Sequence, residues 1–171
     1  PVPCTGPLYD PEPFLTLLGN IIWFFLGGWA LFLGYALGAV LFFPMFIPLF
    51  RLALYALWPF GREVLTRAQL DRYREIRGLA GESSAVDTAL KNVSALLNVL
   101  WMLTFGWFLA LMHLAASFAN LCFFFLIVTI PNIGGHWKLI RVAFLPFNKV
   151  IVPAGLAREI HDALAKARLG L

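Results

Sequence analysis

Few residues in this sequence can do chemistry, and those few sit in apolar surroundings. His113 lies in Leu111-Met112-His113-Leu114, inside a stretch without Asp, Glu, Lys or Arg. An ionisable side chain in such a place is a functional candidate by default. Its imidazole can ligate haem iron or chlorophyll magnesium, or pass a proton. A metal site wants further donors, yet no second histidine stands three or four residues away. The uncharged stretches hold no carboxylate, so a general base or a carboxylate proton relay has no residues to use there. We therefore expect His113 to be a neutral imidazole hydrogen-bonded across helices, with no metal and no cofactor beyond bound lipid. Haem or chlorophyll binding through His113 is the weaker alternative. His136, beside Trp137 and Lys138, is expected at the membrane interface.

The other polar candidates are sparse. Asn20 and Asn98 stand in matching contexts, Asn20-Ile-Ile-Trp23 and Asn98-Val-Leu-Trp101. Their amides can line a pore, or bond between helices and hold two halves together; the second is expected. Gly34 and Gly38 form a G-x-x-x-G pair, which lets two helices approach closely. Arg51, Lys138 and Arg141 are candidates for lipid headgroups, with snorkelling toward the interface as their default role. Cys4 and Cys122 are too few for a metal cluster. P-loop, zinc-protease, nucleophile-elbow and C-x-x-C signatures are missing. An enzyme is not expected.

The elements that must hold these residues follow from charge and composition. Of 171 residues, 61% are hydrophobic and 13% charged, about half the charged share of a soluble domain. A water-soluble domain this small cannot hide that much apolar surface. Two tracts, Pro13–Phe50 and Asn92–Trp137, carry no Asp, Glu, Lys or Arg. Each is roughly twice the ~20 residues that cross a bilayer, so each should enter the membrane and return. The cations cluster between and after them, which puts residues 62–91 and the C-terminal tail on the cytoplasmic-type face. The middle cations are interleaved with Glu63, Asp71, Glu75, Glu82 and Asp87, so nucleic acid is not an expected partner.

Five regions result: a Pro-rich arm (1–13), a membrane unit (14–61), a polar linker (62–91), a second membrane unit (92–152) and an amphipathic tail (153–171). Thr66 and Gln69 predict a capping box, and Ser84 with Asp87 a second cap. In the tail, Leu156, Ile160 and Leu164 predict an apolar helix face resting on the membrane. Pro44 and Pro48 should break the first return segment, and Pro131-Asn132-Ile133-Gly134-Gly135 the second. The latter break is either a re-entrant loop at an ion or substrate site or, as preferred here, a kinked span.

The two membrane units are related. Gly28, Trp29 and Leu31 match Gly106, Trp107 and Leu109 at the offset of 78 that relates Asn20 to Asn98. Further on the offset becomes 87, matching Pro44 with Pro131, Arg51 with Lys138, Ala56 with Ala143 and Pro59-Phe60 with Pro146-Phe147. Each unit leaves from and returns to one face, which makes the repeat parallel about the membrane normal. The expected class is all-α and polytopic. Each unit has a long transmembrane helix, a Pro-broken second segment and an interfacial helix.

Leu97-Asn98-Val99-Leu100-Trp101, Phe105-Gly106-Trp107, Leu111-Met112-His113, Ile130-Pro131, Lys138-Leu139 and Leu145-Pro146-Phe147 resemble the YccF domain family of bacterial inner-membrane proteins. Asn20, Trp23, Gly28, Trp29, Pro44 and Pro59-Phe60-Gly61 are similar to the same unit. Asn148 stands where the family pattern has glycine. The resemblance implies two tandem copies in an integral membrane protein, and it brings no catalytic residues. The compartment is a bacterial inner membrane or an organellar membrane. The expected partners are membrane lipids and other membrane subunits or a second copy of the chain. The expected role is a structural or accessory subunit; a channel or transporter built on the duplicated broken-helix unit is the alternative.

Overall fold

The computed structural model of the chain describes residues 13–79, 85–123, 125 and 129–170, without the side chains of 85–90. The Pro-rich arm before Pro13 and the expected Ser84–Asp87 cap lie outside the described residues.

Two long apolar rods dominate. The first joins α1 (Pro13–Trp23) to α2 (Trp29–Leu41), and the second joins α5 (Ala85–Trp101) to α6 (Trp107–Cys122). Pro13–Leu41 and Lys91–Cys122, of 29 and 32 residues, are long and apolar enough to cross a membrane. Only 33% and 22% of their most apolar windows are buried within the chain. They are therefore not shielded like the core helix of a water-soluble protein. Each rod loosens at the same relative place, Phe24–Gly28 and Met102–Gly106, where wide π-type turns replace α-turns. Leu26 leaves helical geometry there, and Gly27 takes φ 141°, which only glycine tolerates without strain.

The return segments are α3 (Phe46–Leu57) and α7 (Ile130–Phe144). At 1.5 Å per residue they span roughly 18 and 22 Å, short of a ~30 Å hydrocarbon core. The sequence expectation of a broken second segment needs correction. Pro131 occupies the first turn of α7, where its missing N–H leaves no bond unmade, and the helix runs unbroken through Gly134 and Gly135. Pro48 is likewise absorbed in the first turn of α3, while Pro44 sits in the short 3-10 turn before it. Arg51 and Lys138, expected near separate interfacial helices, lie instead within α3 and α7 themselves.

The chain is mostly helical, but all-α also needs correction. β1 (Arg62–Thr66) and β2 (Lys149–Pro153) pair antiparallel, with Val64 opposite Ile151. These two positions are themselves 87 apart, so the ribbon is symmetric about its own centre. α4 (Arg67–Ile76) follows β1 directly and α8 (Ala154–Leu169) follows β2. The four elements form a cap around buried Leu65, Val152, Ala157 and Ile160. Leu156 and Leu164 pack against that cluster, so the tail spends its apolar face inside the chain rather than on a membrane surface. Thr66 and Gln69 make the expected capping box, a feature worth about 1 kcal/mol.

Candidate functional site

Two related clasps set the frame. In the first unit the Trp23 indole N–H donates to the Ala56 carbonyl at 2.7 Å. Asn20 accepts from the Phe60 backbone N–H at 2.9 Å and donates to the Phe60 carbonyl at 3.2 Å. In the second, Trp101 donates to Ala143 at 2.8 Å, and Asn98 accepts from Phe147 N–H at 3.0 Å and donates to its carbonyl at 3.4 Å. Trp23 meets Phe60, and Trp101 meets Phe147, edge to face at 6.0 Å in both cases. Each asparagine thus ties its own long rod to the turn after its own return helix. Expecting Asn20 and Asn98 to bridge the two halves was incorrect; the side chain is too short to reach beyond the adjacent turn.

The halves are held together elsewhere. A Cβ added at Gly34 would stand 2.8 Å from the Met112 sulfur, and one at Gly38 2.6 Å from the Trp101 ring. The G-x-x-x-G pair therefore brings α2 against the second rod of the same chain. Tyr35 and His113, positions 78 apart, meet at this crossing, with Tyr35 Oη 3.4 Å from His113 Nε2.

The polar centre of the molecule lies along α6 and α7. These helices run antiparallel, since Trp101 bonds Ala143 at one end while His113 meets His136 further along. The two Nδ1 atoms are 3.2 Å apart. One ring must carry the Nδ1 proton and the other must accept it. His136 is fully buried and stacks on Trp23 at 4.0 Å, so its expected interfacial position is not found. The reason is tertiary: Gly135 lets the Trp23 ring lie close over α7.

The same register continues away from the cap. It places Ser117 level with Asn132 and Asn120 level with Thr129, and all four are buried. The Asn120 amide donates to the Ala116 carbonyl at 2.8 Å, and the Thr129 hydroxyl to the Phe123 carbonyl at 3.0 Å. Among the described residues, four buried atoms here have no hydrogen-bond partner: Asn120 Oδ1, both amide atoms of Asn132, and His136 Nε2. Leaving such a buried group unpaired costs about 1–3 kcal/mol. Sequence reasoning overlooked Ser117, Asn120 and Asn132. It sought partners for His113 on the same helix, although 113, 117 and 120 already mark one helical face.

No group of three or more His, Cys, Asp or Glu side chains gathers among the described residues. His113 has its Nε2 within reach of the Tyr35 hydroxyl and its Nδ1 within reach of His136.

Of the cationic candidates, Arg51, Lys138 and Arg141 are all exposed. Arg51 borders a cleft of about 920 Å³ between the cap and the membrane helices, together with Arg62, Arg67, Arg74, Lys91 and Lys149. Its apolar wall includes Met45, Ile47, Leu54 and Leu97. Arg74 and Lys91 both approach Asp71 at 3.8 Å. Partial burial pulls the Lys149 ammonium below its ordinary range.

Comparison with known proteins fits this architecture. The model of the YccF family, described as an inner membrane component domain, matches residues 18–62 and again residues 96–149. The inner membrane protein YccF of Escherichia coli strain K12 is 30% identical over 155 residues, covering 87% of this chain and 95% of that protein. The inner membrane protein YccF of Shigella flexneri matches to the same extent. No solved structure matches. The two matched segments begin before Asn20 and Asn98 and end beyond Phe60 and Phe147, so each contains one complete clasp. With two copies of the domain and a match along most of its length, the chain belongs to the YccF family of inner membrane proteins.

Proposed function

We propose that this protein serves as a structural or accessory subunit that packs against other membrane chains. The observation that carries the reading is how the two long rods divide their side chains. Gly34, Gly38, His113, Ser117 and Asn120 turn inward, while Phe25, Trp29, Trp107, Leu111 and Phe118 form an exposed apolar belt. In water such a belt would aggregate; in a bilayer it meets acyl chains or neighbouring helices. The cap built from β1, β2, α4 and α8 joins the polar linker to the tail, so both lie in one compartment. Their cations orient it toward the cytoplasm. The basic cleft then lies at headgroup depth and holds anionic lipid phosphates.

Mild extraction into lipid nanodiscs, followed by native mass spectrometry, tests the role. The expected result is this chain together with other membrane chains or with itself, plus retained anionic lipid. Recovery as a bare monomer at native expression would end the proposal. Cysteines placed at Glu75 and Asp162 should both be labelled from the cytoplasmic side only, and labelling on opposite sides would refute the shared compartment.

A further inference from the structure

We infer that the α6–α7 seam is a one-sided inlet that admits water and protons from the membrane face opposite the cap as far as the His113–His136 pair. The chemistry of the unpartnered atoms selects the occupant. Asn120 and Asn132 present bare acceptor oxygens, Asn132 a bare amide donor, and His136 a ring nitrogen that donates or accepts according to its tautomer. A cation would serve the oxygens and oppose the amide, and an anion would do the reverse. Water satisfies both kinds, and a polar pocket with several such partners is where buried water is retained.

The seam has a direction. Its polar levels run from Asn120 and Thr129, at the α6–α7 turn, through Ser117 and Asn132 to the two histidines. At 1.5 Å per residue, Asn120 to His113 covers roughly 10 Å, about a third of a hydrocarbon core. Toward the cap the buried polar groups are already paired, the Trp23 indole with the Ala56 carbonyl and the Asn20 amide with Phe60. Leu31, Leu49 and Leu109 are fully buried with Tyr35 in the apolar core, which closes the inlet toward the cap.

The terminal pair accepts a proton with all atoms accounted for. With His136 donating Nδ1–H to His113 Nδ1, the lone pair of His136 Nε2 is left buried and unpaired. A hydronium ion delivers its proton to that Nε2 and leaves as water. The Nδ1 proton of His136 then shifts to His113 Nδ1, so one positive charge is shared by two rings. The titratable group facing them is Tyr35 from α2. The described parts of α1 and α6 contribute no charged side chain, and Lys138 and Arg141 of α7 are exposed. No carboxylate offsets the charge, so loading needs an acidic compartment outside.

The test uses the full chain in liposomes, with ¹⁵N-labelled histidine and water-edited solid-state NMR. His161 in the cap serves as the wetted reference. Water magnetisation should reach the His136 ring as quickly as it reaches His161, and the tautomer signals of the pair should shift on acidifying the medium. Asn132→Leu should abolish the fast transfer at His136 and leave His161 unchanged. Rings that stay dry in the unmodified chain would overturn the inlet. Proton flux across the vesicles above that of empty ones would overturn its one-sidedness. The accessory role is judged separately, by what travels with the chain, so either idea can fail alone.

Discussion

The two halves of this molecule build the same clasp and surround it with opposite interiors. Both use an asparagine and a tryptophan one turn apart, bonded to a return helix and to a phenylalanine at matching distances. Yet where the second half buries His113, Ser117, Asn120, Asn132 and His136, the first has Tyr35, Ala39, Phe42, Met45 and Leu49 at the corresponding offsets. Trp101 accordingly sits among Phe42, Phe105 and Phe147, whereas Trp23 stacks on an imidazole. The lesson is that the clasp is what makes the unit stable, and the interior around it is free to become polar in one copy. In lipid a buried, unpaired polar group is not required for packing, so the presence of several in one half alone among the described residues points to use.

The strongest way to break the comparison is to remove the shared tryptophans. Trp23→Ala and Trp101→Ala should each lose about 3–5 kcal/mol, since a fully buried indole and its hydrogen bond go together. Thermal unfolding of the detergent-solubilised chain reads the loss. A large effect in one half and none in the other would show that the clasps are not equivalent.

A second set makes the polar half more like the apolar one. His136→Leu installs the residue that the first half has at Leu49, and it strands the Nδ1 of His113 at about 1–3 kcal/mol. Adding His113→Leu should then cost less than the sum of the two single changes, because partners removed together leave fewer orphans. Simple additivity would mean that the two rings do not interact.

Asn20→Ala and Asn98→Ala sharpen the likeness of the halves. Each exposes one donor and one acceptor of a backbone turn, so equal losses of about 1–3 kcal/mol are expected by the same unfolding measurement. A difference larger than the error would place one clasp, rather than the symmetric frame, in charge of stability.

The smallest expected effect lies in the cap. Hydrogen bonds from Tyr73 and then from Arg77 hold the Glu159 carboxyl below its ordinary range. Its contribution is therefore present above the ordinary carboxylate pKa and is lost as pH falls through the lowered value in the fold. Amide exchange in α4 and α8 should quicken modestly over that acidic window, and Glu159→Gln should remove the dependence. Exchange that is flat with pH in the unmodified chain would show the contact to be idle.

How much was legible varied with the range of the forces involved. The membrane assignment followed from the two uncharged tracts, because transfer of apolar side chains into lipid is a sum over residues and needs no knowledge of neighbours. The tandem unit was visible in Asn20/Asn98 and Trp23/Trp101, and the Thr66–Gln69 cap in local spacing, since both express contacts repeated or closed within a few residues. The break at Pro44 falls at a real turn between α2 and α3, but the one at Pro131 was misplaced. Proline read as a breaker at Pro131, yet it sits in a helical first turn, where it does no harm. The real loosening falls at Leu26 and Gly27, where Gly27 must let Ala116 come close.

Composition and periodicity by themselves determined that this chain carries two long apolar tracts of membrane length and repeats itself, because those properties add residue by residue. Only the tertiary structure decided that His113 meets His136, that the linker strand pairs with the tail strand, and that four polar atoms on α6 and α7 are buried without partners among the described residues. Such contacts depend on the register of helices and strands far apart in the chain, and a shift of one residue along either would have undone them all.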